Sequence, residues 1–259
     1  MTRLSLPMLM FAFVGLEAGG ISSSSAATDV SAPLVIPAFS GLSAGDPPPP
    51  WTFVGLVHQT KPKTEFHVVQ ESGLGNVMRI TADHSYGNLA VFGTETPTES
   101  TTFSWSWKLV KPNPLADLTV RSGDDTPVKV CVLFNYPLDA LSFSEHTELS
   151  LVRAQSETPV PTATVCYVWD HALPVGRMLP SPFTKRLTYF IVETGEEHVN
   201  QWEHEQRKVL DDFQKAYGTE YAKLGSHDPP AIIGVLVGAD ADNTATSSEA
   251  EVGDLKLSR

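Results

Sequence analysis

The chain has 259 residues and a formal net charge of −12. That length allows one large domain or two small ones with a sizeable core, and the ordinary apolar content excludes wholesale disorder. The acidic balance argues against a broad basic face, so neither nucleic acid nor an anionic lipid surface is an expected partner.

The first predicted element is an export signal. Arg3 precedes an apolar run, LSLPMLMFAFVGL, at residues 4–16. The run has signal-peptide length and is too short to span a bilayer. Ser25, Ala26 and Ala27 meet the small-x-small cleavage rule, which assigns residues 1–27 to the signal and starts the mature chain at Thr28. No later segment is long and apolar enough to be a transmembrane helix, so an exported protein in a bacterial periplasm or outside the cell is expected.

Residues 28–50 are rich in Pro, Ser, Ala and Gly, and four consecutive prolines end the segment. Such a run is a stiff extended connector. Within it, LVIPAF at residues 34–39 fits a first strand at a sheet edge, where proline is tolerated. Residues 51–259 read as a single domain, with no internal repeat and no long interior linker.

From Trp51 onward the pattern is β. TEFHVVQ (64–70) and NVMRITAD (76–83) are short, rich in β-branched residues and separated by a Gly-containing turn. TTFSWSWKLV (101–110) is the clearest strand. Phe103, Trp105, Trp107 and Leu109 share one face, and Ser104, Ser106 and Lys108 the other. PVKVCVLF, TATVCYVW and KRLTYFIVE continue the series, and AIIGVLVGA (231–239) and EVGDLKL close it. One stretch differs. Between residues 199 and 217, Val199, Trp202, Val209, Leu210, Phe213 and Tyr217 recur at helical spacing, and Gly218 is a natural stop. About ten strands and one helix predict a mostly β fold, a jelly-roll-like β-sandwich with one helix at about 199–217.

Several constellations invite a functional reading. Cys131 and Cys166 sit in strand-like runs; they either pair in an oxidising compartment or remain buried thiols. GLSAG (41–45) matches the nucleophile-elbow pattern, but a proline run follows where a helix is required, so Ser43 reads as a loop serine. His198 and His204 are six apart and fall on different faces of the predicted helix, without the spacing of a zinc motif. Trp105 and Trp107 project from one strand face, as stacking platforms for sugars do, but Phe103 and Leu109 share that face, and core packing is the competing reading. Asp124 and Asp125 are candidate ligand-binding or acid–base carboxylates, with turn formation as the alternative. Asp240, Asp242 and Asn243 crowd one short loop, as ligands of a structural calcium ion do, and they equally suit a turn.

The order of motifs, FSWSWKL, SGDDTPVKVCVLF, CYVWD, the W…R segment ending at AYG, and IIGVLVGADADNT…AEVGDLKL, resembles an uncharacterised family of exported bacterial proteins, domain of unknown function 3047. The resemblance runs from about Phe39 to Leu257. The chain ending is also similar to the last strands of galactose-binding-like jelly rolls. That likeness implies a terminal-strand aspartate holding calcium, and Asp254 is the matching position. No activity is implied by the family.

Three functions follow as expectations. The first is a non-enzymatic β-sandwich that binds a ligand, best a saccharide or envelope glycan, with calcium as its one expected cofactor. The second is a hydrolase acting on glycans or esters with carboxylates from Asp124, Asp125, Glu193 and the C-terminal loop. The third is an envelope scaffold. An exposed aromatic platform supports the first, a buried carboxylate pair in a pocket the second, and a large exposed apolar patch the third.

Overall fold

The alternation at residues 101–110 becomes strand β5, Thr102–Lys111, with every second residue buried. The computed structural model describes residues 30–56, 59–225 and 228–259; the expected signal peptide lies outside the described residues. In chain order the elements are β1 (Thr52–Val54), β2 (Glu65–Glu71), β3 (Gly75–Asp83), β4 (Tyr86–Glu95), β5, β6 (Val128–Asn135), α1 (Phe143–Gln155), β7 (Ala163–Asp170), β8 (Met178–Pro180), β9 (Leu187–Thr194), β10 (Glu203–Lys208), α2 (Val209–Tyr221), β11 (Ala231–Asp240), β12 (Ser247–Val252) and β13 (Lys256–Ser258).

Two sheets form a sandwich, as the β pattern predicts. One has seven strands in the order β1-β4-β11-β6-β7-β9-β8. The other runs β10-β5-β12-β3-β2, with β13 following β12 along the same side of β5. Among the described strands all pairings are antiparallel except β7 with β9. The space between the sheets is filled by alternate residues: Phe103, Trp105, Trp107 and Leu109 from one sheet meet Val130, Val132, Tyr167 and Trp169 from the other. Trp105 stacks on Tyr167 with ring centres 5.0 Å apart.

The seven-stranded sheet is buried on its outer face too. Cys131, Leu133, Cys166, Val168, Tyr189 and Leu236 form a second apolar layer there, joined by Leu179 of β8 and by Leu118 from the segment between β5 and β6. This explains why β6 and β7 read as nearly continuous apolar runs rather than alternating ones. Cys131 and Cys166 lie directly opposite in the β6–β7 register and form a disulfide, Sγ to Sγ 2.02 Å.

Three expectations need correction. LVIPAF forms no strand. Pro33 bridges Thr94 and Gly45 bridges Val68 singly, while Phe39 inserts into the core. The helix predicted over 199–217 is divided. Its first part is β10, in which Glu203, Glu205 and Arg207 are half-buried and His204, Gln206 and Lys208 exposed. β10 pairs with the open edge of β5, from Glu203 opposite Trp107 to Lys208 opposite Thr102. That long-range partner outweighs local helical spacing. The helix proper starts at Val209 with Asp211 and Asp212 in its first turn, and it passes through Gly218 rather than stopping there. The third difference is a second helix, α1. Its capping box, Ser142 with Glu145, is complete. Leu149 alone among its residues is fully buried, while Phe143 and Leu151 are exposed, so it carries no apolar stripe by which to be read. Arg186 ties it to the fold: the guanidinium donates to Glu145 at 3.1 Å and to Glu220 of α2 at 2.7 Å.

Candidate functional site

A groove of about 490 Å³ lies on the outer face of the seven-stranded sheet. Its floor follows from strand alternation. β4 presents Tyr86, Asn88, Ala90 and Phe92; β11 presents Asp240, Gly238 and Leu236; β6 presents Lys129, Cys131 and Leu133. Each strand passes from polar to apolar in the same direction across the sheet, because Tyr86 pairs with Asp240 and Gly238 with Lys129. The floor is therefore polar at one end and apolar at the other. Gly238 makes the polar end possible: a Cβ at that position would collide with the Asn88 side chain.

The polar end is a network of carboxylates. Asp240 Oδ2 accepts from Lys129 Nζ at 2.7 Å, and its Oδ1 accepts from the Thr126 backbone at 2.6 Å and hydroxyl at 2.5 Å. Both members of the Lys129–Asp240 pair are almost wholly buried. Asp124 Oδ2 accepts from Ser181 Oγ at 2.9 Å, and the Tyr189 hydroxyl faces the same carboxylate. Burial, reinforced by the facing Asp240, pushes the Asp124 carboxyl up to about 6. Burial and the charges of Asp125 and Asp240 likewise raise Asp242, against a weak opposing pull from Lys61 at 3.9 Å. Burial pushes the hydroxyls of Tyr86 and Tyr189 up as well.

Asp125 does a different job. It accepts from the backbone and side-chain nitrogens of Asn243 at 3.1 and 3.2 Å, and from the backbone and hydroxyl of Thr244 at 2.7 and 2.5 Å. Four donors saturate it, so it clamps the turn after β11. Asn88 Oδ1, Asp124 Oδ1 and Asp242 Oδ1 have no hydrogen-bond donor among the described residues, although each is buried and each residue lines the groove.

The structure thus draws Asp124, Asp125, Asp240, Asp242 and Asn243 together from two distant stretches of sequence. Asp254 is not with them. Its carboxylate accepts from the Ser40 backbone at 2.8 Å and hydroxyl at 2.6 Å, beside a separate recess with His204 and Glu205. The four residues expected from sequence to hold calcium are therefore split between two places, and Asp240 pairs with Lys129. Trp105 and Trp107, expected as binding candidates, are 3% and 0% exposed between the sheets and present no platform to solvent. Among the described residues one group has metal-ligand spacing: Glu193, His198 and Glu203, whose ligand atoms lie within 4.8 Å of one another. His198 Nδ1 sits 3.5 Å from Glu193 and 3.4 Å from Glu203, an arrangement an ion pair also explains. The neighbouring Glu205 carboxyl is pushed up to about 7 by burial and by these glutamates.

Lys129, Tyr86, Asn88, Ser181 and Tyr189 escaped the sequence reading. Lys129 carried a signal: a lone charge inside the apolar run PVKVCVLF is almost never buried without a partner.

The Asp124 carboxyl has a stability consequence. Its value in the folded chain, about 6, lies above the ordinary 3.8, so its ionisation opposes folding. The penalty is absent below the ordinary value, develops between the two, and is complete above about 6. Asp124→Asn is expected to raise the melting temperature at neutral pH and to change nothing near pH 3, as a melting series across pH would read.

The molecule is a two-sheet β-sandwich with a groove on one outer sheet face. The chain belongs to the family described as protein of unknown function (DUF3047), matched over residues 49–256. A search of curated proteins finds no match. Among solved structures the chain is similar to endoglucanase 3 of Trichoderma harzianum, family GH12, at 8% identity and a TM-score of 0.37, covering 82% of this chain and 99% of that one. It is similar to the Emp47p carbohydrate recognition domain at 12% identity and 0.38, covering 86% and 93%. Against the glycoside hydrolase domain of Endo-D from Streptococcus pneumoniae R6 it reaches 12% identity and 0.31, covering 80% of this chain and 21% of that chain. Likeness at this level assigns no activity and no ligand.

Proposed function

We propose that the protein is a non-enzymatic binding module that takes a small amphipathic ligand in the outer-face groove. The carrying observation is the polar-to-apolar floor of β4, β11 and β6. An apolar body would lie over Ala90, Leu236 and the disulfide, with its polar end among Asn88, Asp124 and Asp242. The groove volume falls in the range of small-molecule sites, about 300–1,000 Å³. A saccharide remains within this class, but without the tryptophan platform its apolar contacts would be aliphatic. The leader-like run at residues 4–16 and the disulfide support an exported, oxidising setting. No helix among the described residues is long and apolar enough to cross a membrane.

Leu236→Trp places a large side chain on the groove floor and tests the reading. Soluble glycans, alkyl glycosides and short-chain amphiphiles are screened by melting temperature. A ligand at about a hundred times its dissociation constant adds roughly 2.7 kcal/mol to the parent protein. The same ligand is expected to leave the Leu236→Trp variant unshifted. Equal shifts in both proteins would remove the groove from consideration.

A second reading, hydrolysis, is favoured by one observation. Asp124, protonated up to about pH 6, faces Asp240, whose Oδ2 accepts from Lys129 Nζ. Two carboxyl groups in different surroundings are what acid–base hydrolysis requires. Turnover of an ester or glycoside that is lost in Asp124→Asn would replace the binding-module reading.

A further inference from the structure

We propose that the groove's occupant carries a protonated amine, seated against Asn88, Asp124 and Asp242, three groove-lining residues that each keep a buried oxygen without a donor. The inference rests on the binding-groove reading and specifies its ligand. Asn88 and Asp124 are each 5% exposed, and the Asp242 side chain 8%. Buried acceptors of this kind are costly unless a donor reaches them. Three neighbouring donor groups are already turned to other partners. Lys129 Nζ is engaged by Asp240 and lies over the Tyr86 ring at 5.3 Å; the Ser181 hydroxyl is spent on the other oxygen of Asp124; the Asn243 amide is spent on Asp125 and on the Asp124 carbonyl.

Donor arithmetic selects the ligand's head. A carboxylate or phosphate would add acceptors to acceptors. A hydroxyl brings one donor and asks for donors in return. An ammonium group brings three donors and no acceptor. Charge agrees: Asp124, Asp125, Asp240 and Asp242 gather around two cations, Lys129 and the half-exposed Lys61. A third cation would relieve that excess.

Binding would then fade with acid. An ammonium favours ionised Asp124 and Asp242, and protonating either removes an acceptor. The groups facing Asp124 are Asp240, Lys129, Tyr189 and Ser181; those facing Asp242 are Asp125, Asp240 and Lys61. Affinity is expected to fall as pH drops through about 6, the value to which Asp124 is raised.

The test is calorimetric titration of the purified chain with hexylamine, hexanol and hexanoate at about pH 7.5 and about pH 5. Hexylamine is expected to bind one molecule per chain, at least about tenfold more tightly than hexanol, with hexanoate weaker still. Asp124→Asn and the lower pH should each cost hexylamine about tenfold. Hexanol binding as tightly as hexylamine, or hexanoate binding best, would overturn the amine while leaving the groove reading intact. Probes that bind Leu236→Trp as well as the parent, or that bind neither, would overturn both. Glucosamine beside glucose separates the two sources of such an amine. Binding of glucosamine alone places it on a sugar, and binding of hexylamine alone places it on an aliphatic body. The comparison of head groups uses the parent protein, so it survives a variant that fails to fold.

Discussion

Lys129→Met is expected to destabilise the protein by about 3–5 kcal/mol, because it strands a buried carboxylate. For a domain of this size that is a fall of roughly 6–20 °C in melting temperature. Lys129 Nζ and Asp240 Oδ2 are 2.7 Å apart, and both side chains are close to fully buried. Methionine keeps the length of the lysine stem but removes the cation, leaving Asp240 with the two Thr126 donors alone. The pair variant Lys129→Met with Asp240→Asn removes both charges and should recover a large share of the loss, since what costs most is the unpaired charge rather than the absence of a bridge. Chemical denaturation of these two variants, of Asp240→Asn alone and of the parent gives the coupling directly. A single-variant loss below about 1 kcal/mol would mean that water reaches the pair, as for a surface salt bridge, and the polar end of the groove would then be far wetter than its burial indicates.

Removing the disulfide is expected to cost roughly 3–4 kcal/mol, the chain-entropy value for the loop it closes. Cys131 and Cys166 are separated by 35 residues, and that span includes α1, which buries little of itself. The rest of the β6–β7 pairing persists without the bond, from Val128 opposite Trp169 to Phe134 opposite Ala163. The loss should therefore appear as stability rather than as a new fold. Denaturant midpoints of the parent with and without reductant, beside a Cys131→Ala, Cys166→Ala protein, provide the measurement. The reduced parent and the double variant should agree, and the double variant should ignore reductant. A parent whose midpoint is indifferent to reductant under conditions where thiol titration shows the bond broken would contradict the expectation. The bond also forms part of the groove floor, so the double variant should bind the amphipathic probe less tightly than the parent.

The two kinds of change act on different parts of one site. Lys129 sets the electrostatics of its polar end, and the cysteines stiffen the strands beneath its apolar end. Neither touches the inter-sheet core, where Trp107 and Trp169 lie 6.0 Å apart and Phe134 packs on Phe213 of α2 at 4.8 Å. Loss of binding with an intact core is therefore a measurable outcome for milder changes such as Asp124→Asn.

The sequence by itself determined the sandwich. Period-two alternation is a property of each strand alone, so β5 could be read with its core face correctly assigned, and the turn signals around it delimited the neighbouring strands. It also contained a usable sign for α1, the Ser142–Glu145 capping box, although helical periodicity was missing because most of that helix faces solvent. What only the tertiary structure decided are facts about partners. Residues 203–208 are a strand because β5 offers them an open edge, a condition no local window contains. Asp124 and Asp125 meet Asp240, Asp242 and Asn243 because β6 and β11 are neighbours, across a separation of more than a hundred residues. Asp254, only fourteen positions after Asp240, goes elsewhere because β12 and β13 belong to the opposite sheet. The tryptophans and the aspartates were legible as residues of interest, but burial separates their roles. A ring between two sheets is core, whereas Asp124 and Asp242 line a groove on the outer face of one sheet.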